Sequence, residues 1–178
     1  MLKKIGIAIL GLIVGLLIVI ALLPGAFRVT RSAQIAAPPA GVHALINDFH
    51  KWDAWSPWAK LDPNMKTTYS GAPAGSGASY HWTSQKDDVG EGRMTITKSV
   101  PAESVTINLE FIKPFASTSL TVFTIQPAAG GSTVEWAMSG ENGFIERGFL
   151  LAMGGMDKAV GGDFEKGLAQ MKTLAEKR

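Results

Sequence analysis

Few side chains in this sequence could support catalysis or bind a metal. There is no cysteine, which excludes a thiol nucleophile, a disulfide and any zinc site that uses cysteine. The spacings typical of serine hydrolases, P-loop proteins, zinc metalloproteases and dinucleotide binders do not occur. The glycine-rich stretch 71–77 lacks the lysine that follows a phosphate-binding loop, so a hairpin turn is the preferred interpretation. The sequence therefore predicts no catalytic residue, no metal and no cofactor.

Three histidines remain as candidates for acid–base chemistry or metal binding. His43 and His50 are seven residues apart, which could align them on one helical face, and Asp48 and Asp53 lie nearby in sequence. Metal sites on helices favour the closer i, i+4 spacing, so surface or helix-end positions are the preferred interpretation. His81 lies between two aromatic residues of a predicted strand, and alternation places it on the opposite face from them, toward solvent.

Aromatic and methionine side chains are the more informative set. Any one of them could be plain core, since burial of a large ring contributes a few kcal/mol. Methionine also adapts to varied apolar ligands, and ligand pockets are mostly apolar. The residues that could line such a pocket are Trp55, Trp58, Tyr80, Trp82, Phe111, Trp136, Met153, Met156 and Phe164. Arg93 and Glu110 are the charged groups to examine for a place inside it, although a solvated sheet face is the preferred interpretation.

Residues 5–23 carry no charge and form the most apolar segment of the chain. At about 1.5 Å per residue, a helix of this length covers roughly 28 Å, close to the thickness of a bilayer's hydrocarbon core. A cleaved signal peptide is the alternative, but its apolar region is normally shorter and ends at a small-residue cleavage site. The sequence thus predicts a retained single-pass anchor over residues 1–25 and one domain over residues 26–178.

The orientation of the anchor rests on a small charge difference. Lys3 and Lys4 precede the apolar run, and Arg28 and Arg31 follow it. The terminal amine favours an N-terminus inside and a domain outside, which in a bacterium is the periplasmic side. Gly11 and Gly15 form a G-x-x-x-G motif that can pair two such helices, so a homodimer through them is possible.

The rest of the chain is electrically neutral. The formal net charge is only +2, and the two lysines before the apolar run account for it. A neutral domain offers no basic face for phosphates, so nucleic acid is not an expected partner.

Hydrophobic periodicity predicts an α+β domain with about seven strands. Alternation indicates strands over residues 27–35, 66–69, 79–83, 90–100, 103–112, 120–126 and 133–138. A short helix after Pro38 and a turn region over residues 52–58 separate the first two strands. Apolar residues spaced three or four apart from Met153 to Leu174 predict a long C-terminal helix. Because the pairs Gly154-Gly155 and Gly161-Gly162 are poor helix formers, we expect this helix to begin at Asp163 or to be broken there.

This order of elements resembles the helix-grip fold, and local motifs indicate the same relationship. The motifs are Trp55-Ser56-Pro57-Trp58, Tyr69-Ser70-Gly71, Tyr80-x-Trp82, Gly90-x-Gly92, Val134-x-Trp136-x-Met138-x-Gly140 and the ending Asp163-Phe164-Glu165-Lys166-Gly167-Leu168. They are similar to those of the SRPBCC superfamily, and within it to membrane-tethered, START-like bacterial proteins of the polyketide cyclase/dehydrase type. The resemblance covers about residues 29–176.

The resemblance implies a curved antiparallel sheet that grips the long helix around a deep apolar cavity for a lipid or another hydrophobic small molecule. The leading hypothesis is a membrane-anchored domain that binds such a molecule without covalent chemistry. A polyketide cyclase or dehydratase is the enzymatic alternative, which would need a histidine, carboxylate or arginine directed into the cavity. The third possibility is an interaction module of the cell envelope.

Overall fold

Alternating apolar residues build seven strands into one antiparallel sheet. The structure is a computed structural model and describes residues 2–59, 61–86 and 89–177. The strands are β1 (Ala26–Ile35), β2 (Lys66–Gly71), β3 (Ala78–Thr83), β4 (Glu91–Val100), β5 (Ser104–Lys113), β6 (Ser117–Ala128) and β7 (Gly131–Glu141). Their spatial order is β1-β7-β6-β5-β4-β3-β2, so β2 to β7 form a meander and β1 pairs with β7. The predicted number of strands and their antiparallel arrangement are confirmed.

Two short helices connect β1 to β2. They are α2 (Pro39–Ile46) and a 3₁₀ helix (Phe49–Ala54). The indole N–H groups of Trp52 and Trp55 donate to the carbonyls of Ile46 and Leu45, at 2.9 and 3.2 Å. These carbonyls belong to the last turn of α2, where no intrahelical partner is available. The tryptophans therefore fix the 3₁₀ helix against α2 while they fill the core.

One face of the sheet packs against the C-terminal helix, α4 (Met156–Glu176). Val105 and Ile107 of β5 and Val134 of β7 are fully buried on this face, as the alternation predicted. Phe164 and Leu168 of α4 are buried opposite them, in the same hydrophobic core. A long helix thus covers a concave sheet, which confirms the helix-grip architecture.

The expected start of the C-terminal helix was wrong. The helix begins at Met156 and continues through both glycines, and Asp163 lies within it. Gly161 is buried because Arg31 of β1 occupies the space beside it: an added Cβ would lie 2.2 Å from the Arg31 Nη2 atom. Arg31 in turn binds Asp157 and Glu165 of α4, at 2.8 and 2.7 Å. Contact with the sheet therefore maintains a helical segment that intrinsic propensity disfavours.

A further helix, α3 (Phe144–Met153), was not anticipated. It follows β7 directly and contains Met153, which the periodicity had assigned to the long helix. Gly154 and Gly155 separate α3 from α4, with φ angles of 83° and 98°. Only glycine adopts this left-handed backbone freely, so the pair ends one helix and allows the next to start in a new direction.

The N-terminal helix, α1 (Leu2–Leu22), carries the apolar segment. Residues Lys3–Leu22 have a mean hydropathy of 3.2, and the helix is long and apolar enough to span a membrane. The side chains of residues 3–19 are exposed, whereas Ile20 is buried. An added Cβ at Gly11 or Gly15 would meet no described atom within 4 Å, so the pairing of two such helices stays a prediction.

The two glycines of α4 should respond oppositely to alanine. Gly161→Ala places a methyl group against the Arg31 guanidinium, and overpacking of this kind lowers the free energy of unfolding by about 1–3 kcal/mol. Gly162 is exposed with no described atom near its Cβ position, so Gly162→Ala should stabilise the protein by up to about 1 kcal/mol. Chemical denaturation of the full-length chain in detergent measures both values. Equal effects of the two substitutions would contradict the packing role of Gly161.

The ion pairs of Arg31 with Asp157 and Glu165 should also make the free energy of unfolding depend on pH. Hydrogen bonds from Arg31 lower the pKa of Asp157, so this pair stabilises the folded state above the ordinary carboxyl pKa and loses its effect as the pH falls through the lowered value. In Arg31→Met, the difference in unfolding free energy from the wild type should therefore be largest above about pH 5 and shrink toward pH 2. Denaturation at low ionic strength across this range tests it, and a difference that does not vary with pH would contradict it.

Candidate ligand cavity

A cavity of about 450 Å³ lies between the concave face of the sheet and the helices α3 and α4. Its wall combines the 3₁₀ helix and the loop after it, strands β3 to β7, and the inward-facing residues of α3 and α4. Most of the wall is apolar. The volume falls in the range typical of small-molecule sites in proteins.

The structure places most of the predicted pocket residues on this wall. They are Trp58, Tyr80, Trp82, Phe111, Trp136, Met153 and Phe164. Trp55 and Met156 lie outside it. Trp55 is fully buried in the closed part of the core, with its ring against Trp52 and Phe123. Met156 is the first residue of α4 and packs at the edge of the core.

A stack of aromatic rings separates the cavity from the solid core. Trp136 of β7 stacks on Phe164 of α4, with ring centroids 4.3 Å apart and planes 5° from parallel. Trp58 meets both rings edge to face. Gly167 permits this close approach of helix and sheet, since an added Cβ would lie 2.8 Å from the Trp136 ring. The stack therefore forms a rigid wall on the helix side of the cavity.

Trp82 forms the opposite part of the wall because its neighbour in β4 is a glycine. An added Cβ at Gly92 would lie 2.3 Å from the Trp82 ring. The indole N–H of Trp82 donates to the carbonyl of Val89 in the β3–β4 loop, at 3.1 Å. Phe111 of β5 meets the Trp82 ring edge to face. The absence of a side chain at Gly92 in β4 thus makes room for the Trp82 ring of the neighbouring strand β3.

A few polar groups interrupt the apolar wall. Ser56, Tyr80 and Thr121 are buried, whereas Asp53 is exposed and Asp163 is half-buried. Burial raises the pKa of the Tyr80 phenol well above its usual range, so its hydroxyl stays protonated and can donate a hydrogen bond. Asp163 binds Lys166 at 2.9 Å. No histidine, lysine or arginine occurs among the lining residues that the structure describes.

The indole N–H of Trp136 has no hydrogen-bond partner among the described residues. The side chain is buried and belongs to the cavity wall. A buried donor without a partner costs about 1–3 kcal/mol. Trp52 differs, because its N–H donates to a backbone carbonyl.

The cavity opens to the exterior between the loop that precedes β2 and helix α3. Leu61, Phe149 and Met153 all belong to the wall, yet they are 46%, 62% and 44% exposed. Large apolar side chains that line the cavity and are also exposed to solvent mark its opening, which we call the mouth. The mouth is therefore apolar on both sides.

Arg93 and Glu110 do not enter the cavity. They face each other across β4 and β5 on the outer face of the sheet, beside a shallow groove near the start of β6. The residues next to them, Met94 and Leu109, point to the other face and line the cavity. Arg93 is exposed and Glu110 is half-buried, so both lie on the side of the sheet that faces away from the cavity.

The histidines lie on separate elements away from the cavity wall. His43 of α2 is buried, its Nε2 atom is 3.0 Å from the Ser99 hydroxyl, and burial lowers its pKa. His50 belongs to the 3₁₀ helix, so the two do not share a helical face. His81 is half-buried and its Nε2 atom lies 3.3 Å from Glu91. No group of three potential metal ligands occurs in the described ranges.

Sequence reasoning missed two α3 residues of the wall and single positions in strands and loops. Phe149 and Leu150 were missed because α3 itself was not predicted. Met65 and Met94 were missed because an isolated methionine in a strand or loop has the same pattern as an ordinary core residue. The alternation within β4 is the signal that could have placed Met94 on the inner face.

Comparisons with known proteins agree with this architecture. A family described as "Polyketide cyclase / dehydrase and lipid transport" matches residues 26–176. No curated protein matches the chain by sequence. Similar folds include protein CV1439 from Chromobacterium violaceum, with a TM-score of 0.58, 17% identity, and coverage of 86% of this chain and 99% of that one.

Two further solved structures show the same likeness. An uncharacterized protein from Rhizobium leguminosarum has a TM-score of 0.61 and 14% identity, covering 88% of this chain and 98% of that one. The di-domain ARO/CYC BexL from the BE-7585A biosynthetic pathway has a TM-score of 0.60 and 13% identity, covering 89% of this chain and 53% of that one. At these identities the likeness shows the fold alone. The family match covers most of the sequence, and the chain thus belongs to the polyketide cyclase/dehydrase and lipid transport family of the SRPBCC superfamily.

Proposed function

We propose that residues 1–25 anchor the chain in a membrane and that residues 26–178 hold a lipid or another hydrophobic small molecule in the cavity. The observation that carries the proposal is an apolar cavity of about 450 Å³, open at one mouth, with few polar groups on its wall. Binding would follow from removal of apolar surface from water. The length and composition of α1 support the anchor, and the family's description supports the ligand class.

Binding without chemistry suits this wall better than catalysis. A cyclase or dehydratase needs positioned acid and base groups near its substrate. The carboxylates at this cavity are those of Asp53, which is exposed, and Asp163, which already pairs with Lys166. The buried side-chain hydroxyls of the wall belong to Ser56, Tyr80 and Thr121, and such groups could orient a guest by hydrogen bonding.

The Tyr80 hydroxyl is the buried donor that could position a guest, because Tyr80 lines the cavity and its hydroxyl stays protonated. A ketone, ester or carboxyl oxygen of the guest could accept a hydrogen bond from it. We therefore infer an amphiphilic guest whose mass is mostly hydrocarbon.

Photolabelling in a membrane should place the guest in the cavity. The full-length chain is reconstituted in phosphatidylcholine vesicles with a long-chain fatty acid that carries a diazirine, and adducts are mapped by mass spectrometry after digestion. Adducts are expected in peptides of β3 to β6 as well as in α1. Leu109→Trp fills the cavity from its wall and should abolish the sheet adducts while retaining those in α1.

Leu120→Trp provides the matched control, because Leu120 lies exposed on β6 and does not line the cavity. This variant should keep the wild-type adduct pattern. Adducts confined to α1 in the wild-type chain would contradict ligand binding in the cavity. Circular dichroism and thermal midpoints establish that both variants are folded.

The role of the Tyr80 hydroxyl can be separated from the packing of its ring. Tyr80→Phe keeps an aromatic ring on the cavity wall but removes the O–H. Competition against the photolabel should then weaken about five- to tenfold for a long-chain ketone and stay unchanged for the alkane of equal length. Tyr69→Phe is the control, because Tyr69 packs against Tyr80 but does not line the cavity. An equal loss for ketone and alkane would contradict the hydrogen-bonding role.

A further inference from the structure

One end of the sheet lies beside the C-terminus of α1. The antiparallel registers place Ala26 opposite Glu141, and Glu91 opposite Lys113. Hence the start of β1, the end of β7, the β3–β4 loop and the β5–β6 loop share this end. Because α1 ends at Leu22, only a short link separates it from β1. We call this the α1 end of the sheet.

Exposed apolar side chains concentrate at the α1 end. Outside α1, the large hydrophobic residues that the structure shows as exposed are Leu61, Ile112, Phe115, Leu120, Phe144, Ile145, Phe149, Leu151 and Met153. They lie in the loop before β2, around the β5–β6 loop and on α3. A concentration of this kind marks an interaction surface rather than random exposure.

Helix α3 has an apolar face that nothing in the described part of the chain covers. Ile145, Phe149 and Met153 recur at four-residue spacing, so they share one face, and none of the α3 residues is buried. The charged residues of α3 are engaged elsewhere. Glu146 accepts a hydrogen bond from the Gly143 N–H at 2.6 Å, and thereby caps the start of the helix.

Arg147 joins α3 to the end of α1. Its Nη1 atom donates to the carbonyls of Ala21 and Leu23, at 3.2 and 2.7 Å. Ala21 lies in the last turn of α1 and Leu23 directly follows it, so neither carbonyl has an intrahelical donor. Ile20 packs beside Gly148, where an added Cβ would lie 3.2 Å from its Cδ1 atom. These contacts therefore place α3 beside the last turn of α1.

We propose that α3 is an interfacial helix, which inserts the face formed by Ile145, Phe149 and Met153 into the boundary between headgroups and acyl chains of the bilayer that α1 crosses. This rests on the membrane anchoring proposed above. If α1 spans the hydrocarbon core, its last turn lies at the interface. The hydrogen bonds from Arg147 then place α3 at the same depth. Apolar faces of such helices enter the boundary by about 5–10 Å.

The bilayer fits this face better than a second copy of the chain does. The α3 face adjoins the exposed apolar surface of α1. In α1, residues 3–19 are exposed, and no described residue covers them. Phe149 and Met153 belong both to this face and to the cavity mouth. The mouth then opens toward lipid, so a hydrophobic guest reaches the cavity without crossing water.

Single-cysteine probes test the placement directly, because the chain has no cysteine of its own. Ile145→Cys is labelled with a nitroxide in the full-length chain, reconstituted in phosphatidylcholine nanodiscs. Ile145 is 67% exposed and does not line the cavity, so the label leaves both the fold and the mouth intact. Ala169→Cys, exposed on α4, is the matched helical control for water. Val14→Cys reports on α1.

The expected result is that the Ile145 probe collides more with oxygen than with a water-soluble nickel complex, at a depth of about 5–10 Å below the phosphates. The Ala169 probe should show the reverse. A water-exposed Ile145 probe together with a lipid-exposed Val14 probe would overturn the interfacial helix but leave the anchor intact. An Ile145 probe shielded from both reagents, with spin–spin broadening that disappears on dilution with unlabelled chain, would assign the face to a second copy. A water-exposed Val14 probe would refute the anchor itself.

Discussion

The contact between Trp136 and Phe164 divides the interior of this domain into two parts. On one side of the stacked rings, Trp55 and Phe123 complete a closed core. On the other side the space between sheet and helix stays open. A sheet that curves around a helix cannot keep equal distance from it everywhere, and large rigid rings fill only the near part. The cavity is thus a consequence of where these rings lie, and Gly167 sets how closely they approach.

Strands and faces were predictable from the sequence, whereas helix boundaries in the last third were not. Alternation in β5 and β7 reflects burial of one sheet face, which acts at every second residue and leaves a clear pattern. The start of α4 depends instead on a single distant side chain, Arg31, that compensates for two glycines. Helix α3 has apolar residues at helical spacing, but it is short and directly precedes α4, so its last residue, Met153, was assigned to the longer helix.

The candidate site was predictable in composition but not in outline. Aromatic residues with large surfaces lie near any core boundary, so most of those selected line the cavity. The sequence could not separate Trp55 from Trp58, because residues 55–59 form an irregular turn, in which no periodic pattern assigns a side chain to one face. Likewise, whether the Trp136 N–H has a partner depends on the arrangement of several chain segments, which no local pattern encodes.

The joint formed by Gly154 and Gly155 separates two helices with different surroundings. Helix α4 is held along its length by β1, whereas α3 is held chiefly at its start, through Arg147. Both glycines have backbone angles that other residues rarely adopt, so the angle between the helices is encoded by two residues without side chains. A change of tilt in α3 can therefore be absorbed at this point without being transmitted along α4, which leaves the aromatic stack undisturbed.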